Sequence, residues 1–152
     1  MTTAPPPPTV EDPLALDRQV CFALAVAARE VIALYRPVLE PLGLTHPQYL
    51  VMLALWERDG RSLRDLAETL ALDPGTLSPL LKRLEAADLI RRRRHSADER
   101  QLAVTLTPAG RRLRRSAEKV PERIVARLGL PVSDLVQLNE VLRHVIAAAA
   151  AA

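Results

Sequence analysis

Aromatic residues make up only 3% of this 152-residue chain, so leucine, valine and alanine must fill its core. Cys21 is the only cysteine, which excludes an intrachain disulfide framework and favours a cytoplasmic setting. No apolar run approaches the length of a membrane span, so no membrane partner is expected. The histidines are scattered, and neither a metal site nor a cofactor is predicted. What remains is the composition of an ordinary globular protein.

Helix signals begin after a proline-rich tail. Residues 1–11 lack the charged and apolar regions of a signal peptide, and we expect them to form a disordered tail. Asp12 and Pro13 then predict a helix start, as N-cap and first helical residue. Two apolar stripes follow in steps of three and four, and together they make a face too wide for a surface helix of a small monomer. Pro37 should kink or end this helix.

The middle of the chain predicts a helix-turn-helix. Thr45 and Gln48 form a capping box for a helix over 47–58, and a short helix follows Ser62. In "LDPGTLSPLLKRLEAADLI", Asp73 caps the next helix, whose leucines recur at i, i+3, i+4 and i+7 as one buried stripe. Hydroxyl and cationic side chains on its other faces are candidates for DNA contact; they are Thr76, Ser78, Lys82 and Arg83.

A basic hairpin follows this pair of helices. "LIRRRRHSADERQLAVTLTPAG" contains two β-type runs around the polar turn "HSADER", and Leu102, Val104 and Leu106 alternate onto one face. A hairpin directly after a helix-turn-helix is typical of the wing of a winged helix. A plain surface hairpin is the alternative.

Two further helices are predicted behind the hairpin. Thr107 and Pro108 start a long amphipathic helix that runs to about Leu128, and a last helix begins after Ser133. The predicted fold class is mostly α, an α+β winged helix-turn-helix with a small two- to three-stranded antiparallel sheet. Residues 82–115 carry a net charge of +7 in a chain of net charge +3, which suits nucleic acid, although a solvated charge run is the alternative.

This order of elements resembles the MarR family of winged-helix repressors, and within it the organic-hydroperoxide sensors of the OhrR type. The resemblance covers roughly residues 14–121 and rests on "LDRQVCFAL", "YRPVLEPLGLTHPQYLVMLALWE", "LDPGTLSPLLKRLEAADLI" and "RRRRHSADERQLAVTLTPAG". It implies one domain over 12–152, with homodimer-forming helices in 12–46 and 108–152 and a DNA-binding region in 47–107. It also implies a transcriptional repressor, not an enzyme, whose partner is a double-stranded operator with an inverted repeat.

The resemblance further implies which residues contact DNA. The helix over 75–87 would enter the major groove, and the wing the minor groove. Arg100 would be the wing-tip arginine, oriented by Asp98, and a narrow A·T-rich minor groove attracts such an arginine. Thr76 and Ser78 would lie near bases or phosphates, with ordinary helix-start chemistry as the alternative. Cations for phosphates would come from Lys82, Arg83 and Arg94.

A reactive Cys21 is also implied by the resemblance. An organic hydroperoxide would oxidise its thiolate to sulfenic acid, which a small thiol can cap, and the adduct would disturb the dimer interface and release DNA. Tyr35 matches a family tyrosine that hydrogen-bonds the thiolate. Fourteen helical residues separate it from Cys21, roughly 21 Å, so contact would require the other subunit. The alternatives are a packing role for Cys21 and a core or interface role for Tyr35.

The chain departs from the family pattern at His46, where the family has a second tyrosine, and at Ala25. His46 could donate a hydrogen bond to the thiolate or, if protonated, stabilise it; a solvent-facing role is the alternative. Two other functions stay open. One is a regulator of the same family that binds a small phenolic or other apolar ligand through His46 or Arg29, with Cys21 structural. The other, a thiol peroxidase, lacks a Cys-x-x-Cys motif and an adjacent base.

Overall fold

The structure, a computed structural model, describes residues 12–95 and 98–152, apart from the side chains at 95 and 98–101. The predicted tail over 1–11 lies outside the described residues. The described residues divide into two compact units, 12–33 and 34–152. The elements, in chain order, are α1 (Val20–Leu39), α2 (His46–Glu57), β1 (Arg61–Ser62), α3 (Leu63–Leu70), α4 (Pro74–Ala86), β2 (Ile90–His95), β3 (Asp98–Leu106), α5 (Pro108–Ala117), α6 (Val120–Leu128) and α7 (Val132–Ala151).

In the first unit, helix α1 begins later than predicted. The Asp12 carboxylate accepts a hydrogen bond from the Leu14 backbone N–H at 3.0 Å and closes a local turn. A 3₁₀ helix over Leu16–Arg18 follows, and α1 starts only at Val20. The prediction that Asp12 and Pro13 start this helix is therefore wrong, because the carboxylate serves the turn instead.

The second unit has one core, to which α2, α3, α4, the sheet, the end of α1, α5 and α6 all contribute. The predicted leucine stripe of α4 is confirmed as buried, at Leu77, Leu80, Leu81 and Leu84. The helix starts are also confirmed. Thr45 and Gln48 make both bonds of the capping box, and the side chains of Ser62, Asp73 and Thr107 accept the N-cap hydrogen bonds of α3, α4 and α5.

The strands form one antiparallel sheet in the order β1-β3-β2. Strand β1 pairs Arg61 with Val104 and was not predicted, because two residues carry no alternation to detect. In the hairpin, β2 and β3 extend into the predicted polar turn, since His95 pairs with Asp98. The wing is therefore longer than the sequence indicated. Among the described residues, no helix is both long and apolar enough to cross a membrane.

The predicted single helix from 107 to 128 is two helices. α5 ends at Ala117 and α6 begins at Val120, with Pro121 in its first turn. Pro121 has no N–H to offer the Ala117 carbonyl, and its ring crowds that oxygen, so the helical ladder breaks there. α7 runs into the alanine tail as predicted, and none of its residues is buried.

Candidate nucleic-acid interface and sensor residues

The start of α4 is fixed by Asp73 and Thr76. The Asp73 carboxylate accepts hydrogen bonds from the Thr76 backbone N–H at 2.9 Å and from the Thr76 hydroxyl at 2.7 Å. These bonds, the hydroxyl's first, hold the pKa of Asp73 below its usual value. Helix-start chemistry is thus one role of Thr76. Its side chain stays exposed, and its hydroxyl oxygen can still accept a hydrogen bond from outside the chain.

The remaining surface of α4 is exposed and positively charged. Burial of its leucine stripe turns Ser78, Lys82 and Arg83 to solvent together with Thr76. Neither Lys82 nor Arg83 has an ion-pair partner within the part of the chain that is described. This surface, with Thr76, Ser78, Lys82 and Arg83, is called the α4 face below. It offers small hydroxyls for close approach and cations for an anionic partner.

The arginines of β2 alternate between the two faces of the sheet. Ile90 pairs with Leu106, both buried, so Ile90, Arg92 and Arg94 share the face turned towards the core. Arg91 and Arg93 occupy the opposite face. The sequence "RRRR" alone does not show which arginines point to which face. The strand register shows that Arg94 and Arg93 lie on opposite faces of the sheet.

Arg92 is bonded to Glu85 of α4. Both its backbone N–H and its guanidinium donate to the Glu85 carboxylate of α4, at 3.2 and 3.3 Å. The guanidinium contact lowers the pKa of Glu85. Arg94 lies on the same sheet face, is exposed, and has no partner among the described residues. Glu85 therefore ties the wing to α4 and leaves Arg94 available.

The wing tip is described only in its backbone. Asp98 and Arg100 belong to β3, and Asp98 pairs with His95 across the hairpin. The predicted roles of the Asp98 and Arg100 side chains fall outside the described residues.

The structure brings Tyr35 and His46 together, and adds Tyr49. The Tyr35 and His46 rings meet edge to face with centroids 4.7 Å apart, and Tyr35 and Tyr49 lie 5.9 Å apart. Sequence reasoning missed Tyr49. The signal was present, because Tyr49 follows His46 by three residues in "THPQY" and so lies one turn along the same helix.

Burial sets the charge states of this aromatic cluster. It raises the pKa of Tyr35 and of Tyr49, and lowers the pKa of His46. The neutral imidazole is therefore the favoured form, which argues against the predicted option of a protonated His46. A neutral ring can still donate one hydrogen bond.

Cys21 lies in the first unit, on α1, as a free and exposed thiol. Arg29, on the same helix, is also exposed. Within the described residues, no group of three His, Cys, Asp or Glu side chains could hold a metal ion.

Helices α3 and α4, followed by the antiparallel wing, define a winged helix-turn-helix protein. A family described as "Transcriptional regulator SarA/Rot" matches residues 33–116. The organic hydroperoxide resistance transcriptional regulator of Bacillus subtilis is 40% identical over 86% of this chain and 89% of its own length. The chain thus belongs to the MarR-type winged-helix transcriptional regulators, a DNA-binding family that includes the SarA/Rot proteins.

Two further relatives agree with this assignment. The HTH-type transcriptional regulator TtmR of Methylorubrum extorquens is 44% identical over 82% of this chain, which spans 64% of that protein's length. The structure of reduced AbfR of Staphylococcus epidermidis bound to DNA is 36% identical and covers 86% of this chain and 93% of its own, with a TM-score of 0.69.

Proposed function

We propose that the protein is a homodimeric repressor that holds an inverted-repeat operator through two α4 faces and releases it when an organic hydroperoxide oxidises Cys21. The observation that carries the DNA-binding part is the α4 face, which combines exposed hydroxyls with two cations that have no partner in the described chain. In a major groove, the hydroxyls would contact base edges and the cations would contact the phosphates on either side.

The wing supplies the second contact in this proposal. Arg94 shares a sheet face with the Glu85–Arg92 pair that fastens the wing to α4, so it would reach the same duplex. Arg100, oriented by Asp98, would enter the minor groove beyond the strand ends. Arg91 and Arg93 would face away from the DNA.

The DNA part is tested by fluorescence anisotropy on an inverted repeat from the protein's own promoter region. Arg94→Ala should weaken binding about tenfold and make it less sensitive to salt, because one phosphate contact is lost. Arg93→Ala is the matched variant, with the same residue type one position away on the opposite sheet face. Equal losses in both variants would contradict the assigned orientation of the wing.

The dimer is supported by exposed apolar side chains of the terminal helices. α7 exposes Val136, Leu138, Val141 and Ile146, and α1 exposes Val20 and Phe22. A monomer rarely leaves apolar side chains of this size in water along whole helices. A second copy of the chain is the partner that a two-fold operator requires.

The sensor chemistry would proceed at the Cys21 sulfur. The thiolate attacks the terminal peroxide oxygen, the O–O bond breaks, and the alkoxide leaves as an alcohol after gaining a proton. Sulfur is oxidised by two electrons to sulfenic acid, while the peroxide is reduced. A small thiol then forms a mixed disulfide with loss of water. The peroxide regulator of Bacillus subtilis, 40% identical, supports this assignment.

In the dimer, Tyr35 and His46 of the other subunit would be the thiolate's hydrogen-bond donors. Their edge-to-face contact supports a joint role, since each ring limits the orientation of the other. His46→Phe keeps a ring beside Tyr35 but removes the donor, so it should slow the oxidation of Cys21. His144→Phe, at an exposed position of α7, should leave the rate unchanged.

The decisive experiment adds an organic hydroperoxide to operator-bound protein, wild type beside Cys21→Ser. Release of wild type with a mass gain of oxygen or thiol on Cys21, and retention of the serine variant, are expected. If both proteins stay bound, Cys21 is not the sensor. A regulator of small phenolic ligands would then be the function to test.

A further inference from the structure

Helix α5 carries four arginines, which differ in how their charge is compensated. Arg111 pairs with Asp59 at 3.7 Å, and Arg114 pairs with Glu118 at 2.8 Å. Arg112 and Arg115 are exposed and have no partner among the described residues. The same helix thus shows two arginines held in place by carboxylates and two that are not.

Arg115 begins a row of cations that continues across the break between α5 and α6. Lys119 and Arg123 follow at intervals of four residues, and both are exposed and have no ion-pair partner in the described chain. Side chains four residues apart on helical backbone are neighbours, and like charges at that spacing destabilise the helix. We call Arg115, Lys119 and Arg123 the basic row. Its mutual repulsion would be relieved by an external anion.

The acidic groups near the basic row do not neutralise it. Glu118 is engaged by Arg114, and Glu40 and Glu122 form no ion pair within the described residues. The row therefore keeps its positive charge on the surface of the folded chain.

An open cleft of about 470 Å³ lies along the basic row. It is lined by the three cations and Ser116, and by Pro41 and Leu42 of the 3₁₀ helix over Glu40–Leu42. The cations, the hydroxyl donor and the two apolar side chains together make a concave site for a small anion.

The elements that build this cleft are not those of the α4 face. The cleft is lined by the second half of α5, by α6 and by the 3₁₀ helix, and no residue of α3, α4 or the wing contributes to it. The basic row is thus not needed for the DNA contacts proposed above.

From these observations we infer that the basic row binds a small ligand that carries several phosphate groups. Arg123 lies eight positions after Arg115, and Glu118 and Lys119 keep helical backbone angles across the break, so the two cations are roughly 12 Å apart along the backbone. One phosphate cannot reach both ends of that distance, whereas a chain of phosphates can contact successive cations. Arginine and lysine are the side chains that proteins use to bind phosphate oxygens.

The experiment is calorimetric titration of the full-length protein with inorganic tripolyphosphate, and with orthophosphate beside it. Tripolyphosphate should bind saturably, more tightly than orthophosphate and less tightly as salt is added. Arg115→Gln, Lys119→Gln and Arg123→Gln should each weaken binding by about fivefold to tenfold, and the triple variant should abolish it. Arg143→Gln is the matched variant and should bind as wild type, because Arg143 of α7 is exposed and has no ion-pair partner among the described residues.

Three results would overturn the inference. The first is no tripolyphosphate binding by the wild type, and the second is equal binding by the wild type and the triple variant. The third is a triple variant that loses affinity for operator DNA, with a smaller salt dependence, as Arg94→Ala should; the row would then be a nucleic-acid contact. All four positions are exposed, so circular dichroism of the variants should match the wild type and exclude misfolding as a cause.

Discussion

Helix α4 carries a row of leucines and α7 carries a row of leucines and valines, but only α4 buries its row. In α4, Leu77, Leu81 and Leu84 are at most 1% exposed. In α7, Leu138 and Val141 are 51% and 57% exposed, and no residue of the helix is buried. The contrast shows that α4 completes its packing within one chain. The apolar surface of α7 is instead available for a second chain.

The largest effect on the free energy of unfolding is expected in α4. Leu81→Ala should lower it by about 2–5 kcal/mol, because a fully buried leucine leaves a cavity in the core. Leu138→Ala on α7 removes a half-exposed side chain, so it should hardly change the free energy of unfolding of the single chain. Denaturant unfolding followed by the fluorescence of Trp56, the sole tryptophan, measures both variants.

Protein concentration separates the two helices in that measurement. The loss at Leu81 should be the same at every concentration, since its contacts lie within one chain. Any loss of stability caused by Leu138→Ala should depend on protein concentration, because the contacts of Leu138 would be with another subunit. Equal, concentration-independent losses would remove the distinction between α4 and α7.

A slightly smaller effect on the free energy of unfolding is expected at Gly110, where α5 packs against the start of the wing. A Cβ at position 110 would collide with the backbone carbonyl oxygen of Leu89, and the Gly110 carbonyl accepts the Trp56 indole N–H at 2.9 Å. Gly110→Ala should therefore destabilise the chain by about 1–3 kcal/mol. Gly75→Ala should cost less than Gly110→Ala, because its Cβ would meet only the Asp73 carboxylate oxygen at 3.0 Å, a side-chain atom that can shift slightly although it caps α4. Thermal unfolding of both variants is the measurement.

The sequence predicted the features that depend on neighbours along the chain. The caps at Thr45, Ser62, Asp73 and Thr107 and the leucine stripe of α4 are local patterns, and the structure confirms them. The break before Pro121 was also readable in the sequence, but the continuous apolar periodicity on both sides concealed it.

The features that were missed depend on partners distant in the chain. The separate roles of Arg92 and Arg94 follow from the strand register, and Tyr49 becomes part of a cluster only when α2 packs beside Tyr35. The short strand β1 exists because β3 pairs with Arg61. No periodicity in a sequence encodes such contacts.

A substitution on α7 should change assembly and leave folding almost untouched. Val141→Asp places a charge in the middle of the exposed apolar row, where a second subunit would have to desolvate it. The variant should be monomeric by light scattering, while its core stability changes by less than about 0.5 kcal/mol. Glu140→Gln, the polar neighbour, should keep the assembly of the wild type. If Val141→Asp assembles normally, the apolar row of α7 is not the interface.

The smallest expected effect is on the pH dependence of stability, and it concerns the Asp65 carboxylate of α3. Arg61 and Arg58 donate to the Asp65 carboxylate at 2.9 and 2.6 Å, and these bonds hold the pKa of Asp65 below its usual value. A carboxyl with a lowered pKa in the folded state contributes stability above its ordinary pKa, and loses it as the pH falls towards the lowered value. Unfolding followed from neutral to acidic pH should therefore show less acid sensitivity for Asp65→Asn than for wild type.

Glu140→Gln on α7 is the control for Asp65→Asn. Glu140→Gln removes a carboxylate that has no cation partner among the described residues. It leaves the Arg58 and Arg61 contacts of Asp65 intact, so it is the control for the loss of those contacts. If Asp65→Asn and Glu140→Gln behaved alike, the arginine contacts of Asp65 would be too well screened by water to stabilise the fold, and burial alone would distinguish α4 from α7.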